Sequence, residues 1–199
     1  MKYCGHLFLF TLMFWVIIWM SSCAPTYRTV APKLTFSHIR PIQLHSVSFQ
    51  QSDIYVPSLA APQVEHQMPT PLYTALDDLL EQMFISDAVG YYTLFITLEN
   101  ASVRHTKLPE PESIFYKFGS YPEDQYDFNI RVGYVLKDQA SVVLADGYVE
   151  VKGRKTLKSD ISPTGRDMAF IHMTEHIAGL LEKETRQLFQ KKFPQIYQN

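Results

Sequence analysis

Cysteine is nearly absent: the 199 residues hold two, Cys4 and Cys23. Both lie close to the N-terminus, so the rest of the chain can form neither a disulfide framework nor a thiolate metal site. The eight glycines fall in no G-x-S-x-G elbow, Walker loop or dinucleotide fingerprint, which removes the common phosphate-cradling and nucleophile-elbow chemistries. Neither sign of charge dominates, with 18 basic and 20 acidic residues. The densest basic group, Lys152, Arg154, Lys155 and Lys158, is too sparse for the clustered footprint that nucleic-acid binding requires, and it reads as a solvated strand end. The uncharged run from Leu7 to Met20 is shorter than the roughly 20 residues of a spanning helix.

What the chain does have is apolar content sufficient for a core: 46% hydrophobic and 14% aromatic residues exclude global disorder. It also has a processing signal. Lys2 precedes the apolar run, and Met20-Ser21-Ser22-Cys23 follows it, placing small residues where a secretory signal is cut. These residues resemble a bacterial lipobox, which implies cleavage between Ser22 and Cys23 and acylation of Cys23. Met20 replaces the usual Leu, and Lys2 alone is a thin cationic region. An uncleaved N-terminal anchor and an ordinary secretory signal are the alternatives. Ala24 occupies the position where Asp would favour inner-membrane retention, so the resemblance implies the periplasmic face of the outer membrane. Two or more acyl chains, at about 0.8 kcal/mol per buried methylene, would anchor the protein essentially permanently. The expected organisation is a signal peptide over 1–22, a lipidated tether over 23–40 and one α+β domain over 41–199.

Within that domain, Pro41 to Phe49 alternates, then shifts phase, as a bulged strand would. A proline-dense crossover runs from Tyr55 to Pro71. Thr70-Pro71 opens a helix, with Thr70 as cap, whose apolar face is Leu72, Ala75, Leu76, Leu79, Leu80 and Met83. Tyr91 to Leu98, Tyr126 to Leu136 and Ser141 to Val151 read as strands, the last two joined as a hairpin. Beyond Leu98 the first of these turns polar, which suggests an extension past the sheet. A long helix spans Pro163 to Phe193, stopped by Pro194, with Phe170, Ile171, Thr174, Ile177, Ala178, Leu181 and Leu188 as its buried stripe. The order β-α-β-β-β-α predicts an antiparallel sheet of about four strands with both helices on one face.

Catalytic patterns are few. His172-Met173-Thr174-Glu175-His176 matches the H-x-x-E-H spacing that puts two imidazoles and a carboxylate on one helix turn, the arrangement of a zinc hydrolase. This triad lies opposite the apolar stripe, and no third ligand lies on another downstream element, so a solvated helix face is the preferred reading. The carboxylate pairs Asp77-Asp78 and Glu123-Asp124 are adjacent and point apart. His66 beside Glu65 in the proline-rich segment reads as a surface pair. No catalytic residue, metal or cofactor is assigned.

Two loops carry the remaining signal. Leu108 to Asp124 interrupts two strands with Ile114, Phe115, Tyr116, Phe118 and Tyr121. Such a run either folds back as a cap on the sheet or docks a partner, since aromatics anchor interfaces. The crossover Tyr55 to Pro71 is a rigid connection or an extended recognition segment.

The lipobox, proline-rich tether and element order resemble small envelope lipoproteins of Gram-negative bacteria, including LPS-assembly lipoproteins and auxiliary lipoproteins of ABC-type lipid transport. The run from Tyr55-Val56-Pro57 through Val64-Glu65-His66 to Pro69-Thr70-Pro71 resembles a segment of uncharacterised alphaproteobacterial lipoproteins. The resemblance implies a non-enzymatic accessory subunit in envelope assembly or transport, held by acyl chains on Cys23 and bound to an envelope protein. A lipid or glycolipid carrier is the alternative, and a zinc hydrolase using His172, Glu175 and His176 a third.

Overall fold

The computed structural model describes residues 34–87, 90–110, 112 and 119–197. The elements are β1 (Ile42–Leu44), β2 (Val47–Asp53), a 3-10 turn (Glu65–Gln67), α1 (Leu72–Met83), β3 (Phe84–Ser86), β4 (Tyr92–Lys107), β5 (Pro122–Asp138), β6 (Val143–Lys158) and α2 (Pro163–Lys192). Four strands form one sheet in the order β2-β4-β5-β6, and β1 pairs with β3 separately. The architecture is α+β, with both helices on one sheet face. Among the described residues no helix is long and apolar enough to cross a membrane.

The sheet is mixed rather than antiparallel. β4, β5 and β6 form an antiparallel meander, but β2 runs parallel to β4. The crossover between them carries α1, which returns the chain to the starting end and so makes the strands parallel. The phase shift in Pro41 to Phe49 is also more than a bulge. Ser46 takes φ 52, and the chain breaks there into β1, paired with β3, and β2, paired with β4. Asp87 secures the break: its carboxylate accepts from the Ser46 N–H at 2.9 Å and lies 3.0 Å from His45 Nδ1.

Gly90 sits where the chain enters β4. A Cβ there would lie 2.7 Å from the Ser48 backbone nitrogen and 3.0 Å from Val47 C. Backbone cannot swing aside as a side chain can, so Gly90→Ala is expected to destabilise by about 1–3 kcal/mol, measured by chemical denaturation.

The polar second half of β4 stays inside the sheet. A bulge at Glu99 resets the alternation, and Ala101 and Val103 are buried as Leu94, Ile96 and Leu98 are. Glu99 instead takes Arg131 Nε at 2.7 Å on the opposite face. α1 starts as the apolar periodicity requires, but Thr70 does not cap it. Pro71 holds the cap position, and its carbonyl accepts from Ala75 N–H at 3.1 Å. α2 begins at Pro163 behind Ser162, whose hydroxyl accepts from Gly165 N–H at 3.1 Å. Its buried stripe adds Met173, Thr185 and Phe189, while Leu188 is only partly buried. The helix lies close on β6 because Gly153 has no Cβ, a space that Met173 Cε fills.

The core has an aromatic centre at the lower end of α2. Phe189 packs on Phe84 at 5.4 Å, Tyr134 at 5.2 Å and Phe193 at 4.8 Å between ring centroids. The buried Tyr134 hydroxyl shares a hydrogen bond with Thr185 Oγ1 at 3.1 Å, and burial holds its pKa well above the ordinary phenol value.

Candidate functional site

The aromatic connection between β4 and β5 leaves from a clamped base. Leu108 N–H donates to Glu123 O at 2.7 Å, and Lys107 pairs with Glu123 at 3.1 Å. His105 Nε2 lies 2.7 Å from Asp124 Oδ1, and Arg166 from α2 approaches the same carboxylate at 3.5 Å. The two adjacent carboxylates thus serve different partners, as their alternation along the strand requires. His105 stacks on Tyr126 with centroids 5.0 Å apart, and Tyr126 meets Phe170 edge-on at 4.9 Å. The loop's foot is therefore tied to β5 and to the first turns of α2.

A second tie comes from the connection leaving β6. Ser159 N–H donates to Tyr121 O at 2.9 Å, and the Ser120 hydroxyl donates to Asp160. Of the sequence-predicted loop residues, Tyr121 lies at this foot and is partly exposed. Ile114, Phe115, Tyr116 and Phe118 lie outside the described residues, as do Ser22 and Cys23. The foot of the loop lies at the end of the sheet opposite β1, β3 and the C-terminal turn, where Tyr197 bridges to Leu44.

The second half of the crossover is a strap laid on β4, while Val56 and Leu59 in its first half are 83% and 78% exposed. Val64 N–H donates to Val103 O at 2.9 Å and His105 N–H to Pro62 O at 2.8 Å. These bonds continue the edge of β4 where β2 stops. Glu65, fully buried, is its polar centre: it accepts from Tyr55 Oη at 2.6 Å, Ser58 N–H at 3.2 Å and Val103 N–H at 3.3 Å. Burial and the neighbouring carboxylate push the Tyr55 hydroxyl well above its usual pKa, so it remains a donor. Sequence reading placed Glu65 in a surface pair with His66. Its neighbours Gln63, Val64, His66 and Gln67 are mostly polar, so no local pattern signals its burial.

The H-x-x-E-H residues lie on the outer side of α2. His172 Nδ1 is 3.5 Å from Glu175 Oε2, with side chains 67% and 39% exposed. His38, which no sequence spacing connects to them, borders the same open concavity together with Gly179 and Leu180. Among the described residues no three metal-ligating side chains converge on a common point. The carboxylate pair Asp77-Asp78 is likewise divided, Asp77 accepting from Gln51 Nε2 at 2.5 Å.

A lipid seated between sheet and helices would have to displace the ring cluster of Phe84, Tyr134, Phe189 and Phe193, each no more than 3% exposed.

No family model and no curated protein matches the chain. Among solved structures, it is similar to a putative lipoprotein from Caulobacter crescentus CB15, at 13% identity over 70% of this chain and 84% of that one, with a TM-score of 0.34. A minor lipoprotein from Acinetobacter baumannii aligns at 9% identity over 74% and 95%, with a TM-score of 0.32. The rare lipoprotein B from Shewanella oneidensis aligns at 12% over 73% and 94%, with a TM-score of 0.36. Each of the three is named a lipoprotein.

Proposed function

We propose that this chain is an outer-membrane lipoprotein, acylated on Cys23 and facing the periplasm, that acts as a non-enzymatic docking subunit in envelope assembly or transport. The clamped foot of the β4–β5 connection carries the docking reading. Five aromatic or aliphatic residues, Ile114, Phe115, Tyr116, Phe118 and Tyr121, leave from a base held by two ion-paired carboxylates and two backbone bonds. A segment fixed at both feet loses less conformational freedom when it binds, so aromatic contacts contribute more of their burial to affinity. The anchor reading rests on Met20-Ser21-Ser22-Cys23 behind the short apolar run. The ring-filled space between sheet and helices favours a protein partner over a lipid cargo.

The test is a crosslinked pull-down of the tagged full-length protein from native membranes, beside a Phe115→Ala/Tyr116→Ala/Phe118→Ala variant and a Cys23→Ser variant. An envelope protein recovered with wild type should be lost from the triple variant. Cys23→Ser should take up no labelled palmitate and should keep its signal. Recovery unchanged in the triple variant would remove the loop from the interface. Palmitate incorporated into Cys23→Ser would refute the lipobox.

A further inference from the structure

β6 closes the four-stranded sheet, and along its 16 residues the edge away from β5 has no strand partner among the described residues. Natural sheets keep free edges short, bent or guarded, because a long bare edge recruits another strand. This edge is long, and it opens with an exposed apolar group: Val142, Val143, Leu144 and Tyr148 are 56%, 51%, 45% and 54% exposed. Its charges are sorted along the strand. The acids, Asp146 and Glu150, precede Val151, and the bases, Lys152, Arg154, Lys155 and Lys158, follow it.

We propose that β6 pairs antiparallel with β6 of a second copy, across a two-fold axis at Val151, joining two sheets into one of eight strands. The charge order selects this occupant. A strand that is acidic in its first half and basic in its second is complementary to itself when reversed. With the axis at Val151, Glu150 faces Lys152, Tyr148 faces Arg154 and Asp146 faces Thr156, all on the sheet face away from the helices, and each pair occurs twice. An axis at Glu150 or at Lys152 sets a like charge directly against itself, which cross-strand pairing disfavours. An axis at Val149 would set Asp146 against Lys152 and Tyr148 against Glu150. The axis at Val151 instead sets Glu150 against Lys152 and the cation of Arg154 against the Tyr148 ring, a cation–π pairing the other register lacks, and the crosslink below tells the two registers apart.

The groups concerned are already in place. Lys152 lies 3.1 Å from Glu150, Arg154 Nε is 2.6 Å from Asp127 Oδ1, and the Arg131 guanidinium covers the Tyr148 ring at 3.8 Å. A second copy extends this ladder of alternating charge without stranding a bare ion. Asp146 O accepts from Lys192 Nζ at 3.0 Å and keeps a second lone pair for the facing strand.

The test uses the full-length chain in detergent, as an equal mixture of unlabelled and 15N-labelled protein treated with a zero-length carbodiimide. Mixed-isotope peptides joining Glu150 to Lys152 are expected, since only coupling between copies can produce them. Sedimentation should show a dimer. Glu150→Lys and Lys152→Glu should each weaken it about tenfold or more, as two facing pairs turn repulsive. The Glu150→Lys/Lys152→Glu variant should restore it. A chain that stays monomeric at about 100 µM overturns the proposal, and so does a dimer that neither single reversal weakens, because such a dimer forms through another surface.

Discussion

Phe189→Ala is expected to destabilise the domain by about 3–5 kcal/mol, the usual range for removing a fully buried ring. Phe189 has no exposed surface and holds ring contacts with Phe84 at the end of α1, Tyr134 on β5 and Phe193 at the α2 terminus. The alanine leaves a void that three different elements border, so no single side chain can collapse to fill it. Chemical denaturation should show a lower midpoint with little change in slope, the mark of altered stability without an altered unfolded state. Phe189→Leu retains most of the volume and should cost about a third as much. On the outer side of the same helix, His172→Ala should stay within about 0.5 kcal/mol of wild type. A loss below about 1 kcal/mol for Phe189→Ala would mean that the rings do not form the centre of this core.

Glu65→Ala should cost about as much through a different mechanism. It removes one carboxylate and leaves three donors without their acceptor: the Tyr55 hydroxyl and the N–H groups of Ser58 and Val103. The Val103 N–H is buried and the other two donors are partly buried, so orphaning the three is expected to cost about 3 kcal/mol in all. Glu65→Gln keeps one carbonyl acceptor and should lose about half of that, and Tyr55→Phe about 1 kcal/mol. The three variants together separate a polar clasp from simple packing. If Glu65→Gln were as damaging as Glu65→Ala, charge rather than acceptor geometry would be holding the strap. Hydrogen exchange at Val64 and His105 should rise in Glu65→Ala, because their amide bonds to β4 and to the strap depend on the strap staying seated.

The elements with sustained periodicity were legible in the sequence. α1 and α2 repeat apolar residues at helical spacing and end at Pro194 or at the start of β3, so their extents and most of their buried faces follow from local geometry. β5 and β6 alternate cleanly because one sheet face is packed and the other is solvated. Less legible were places where one residue changes the pattern. Ser46 splits an apparent bulged strand into β1 and β2, and the bulge at Glu99 returns an apparently polar tail to the core. In both cases the alternation in sequence is correct on each side, and only the pairing partner reveals where the parity resets.

The candidate site divided in the same way. The H-x-x-E-H residues were placed correctly on the outer side of α2, because the helix period alone determines that face. The arrival of His38 beside them depends on how the segment before β1 lies against the helix, which no spacing encodes. The aromatic loop was found by composition, whereas its foot of Glu123, Asp124, Lys107, His105 and Arg166 assembles from β4, β5 and α2.

By itself, then, the sequence determined the apolar faces, the helix ends, the lack of thiol chemistry outside the N-terminus and the residues that resemble a lipobox, all properties set by neighbours a few positions apart. The tertiary structure alone decided that β2 lies parallel to β4, that Glu65 is buried as a clasp and that β6 has no strand partner on its outer edge among the described residues. Those outcomes depend on which strands meet across long stretches of chain. Pairing energy is shared among many backbone bonds there, and local pattern does not encode it.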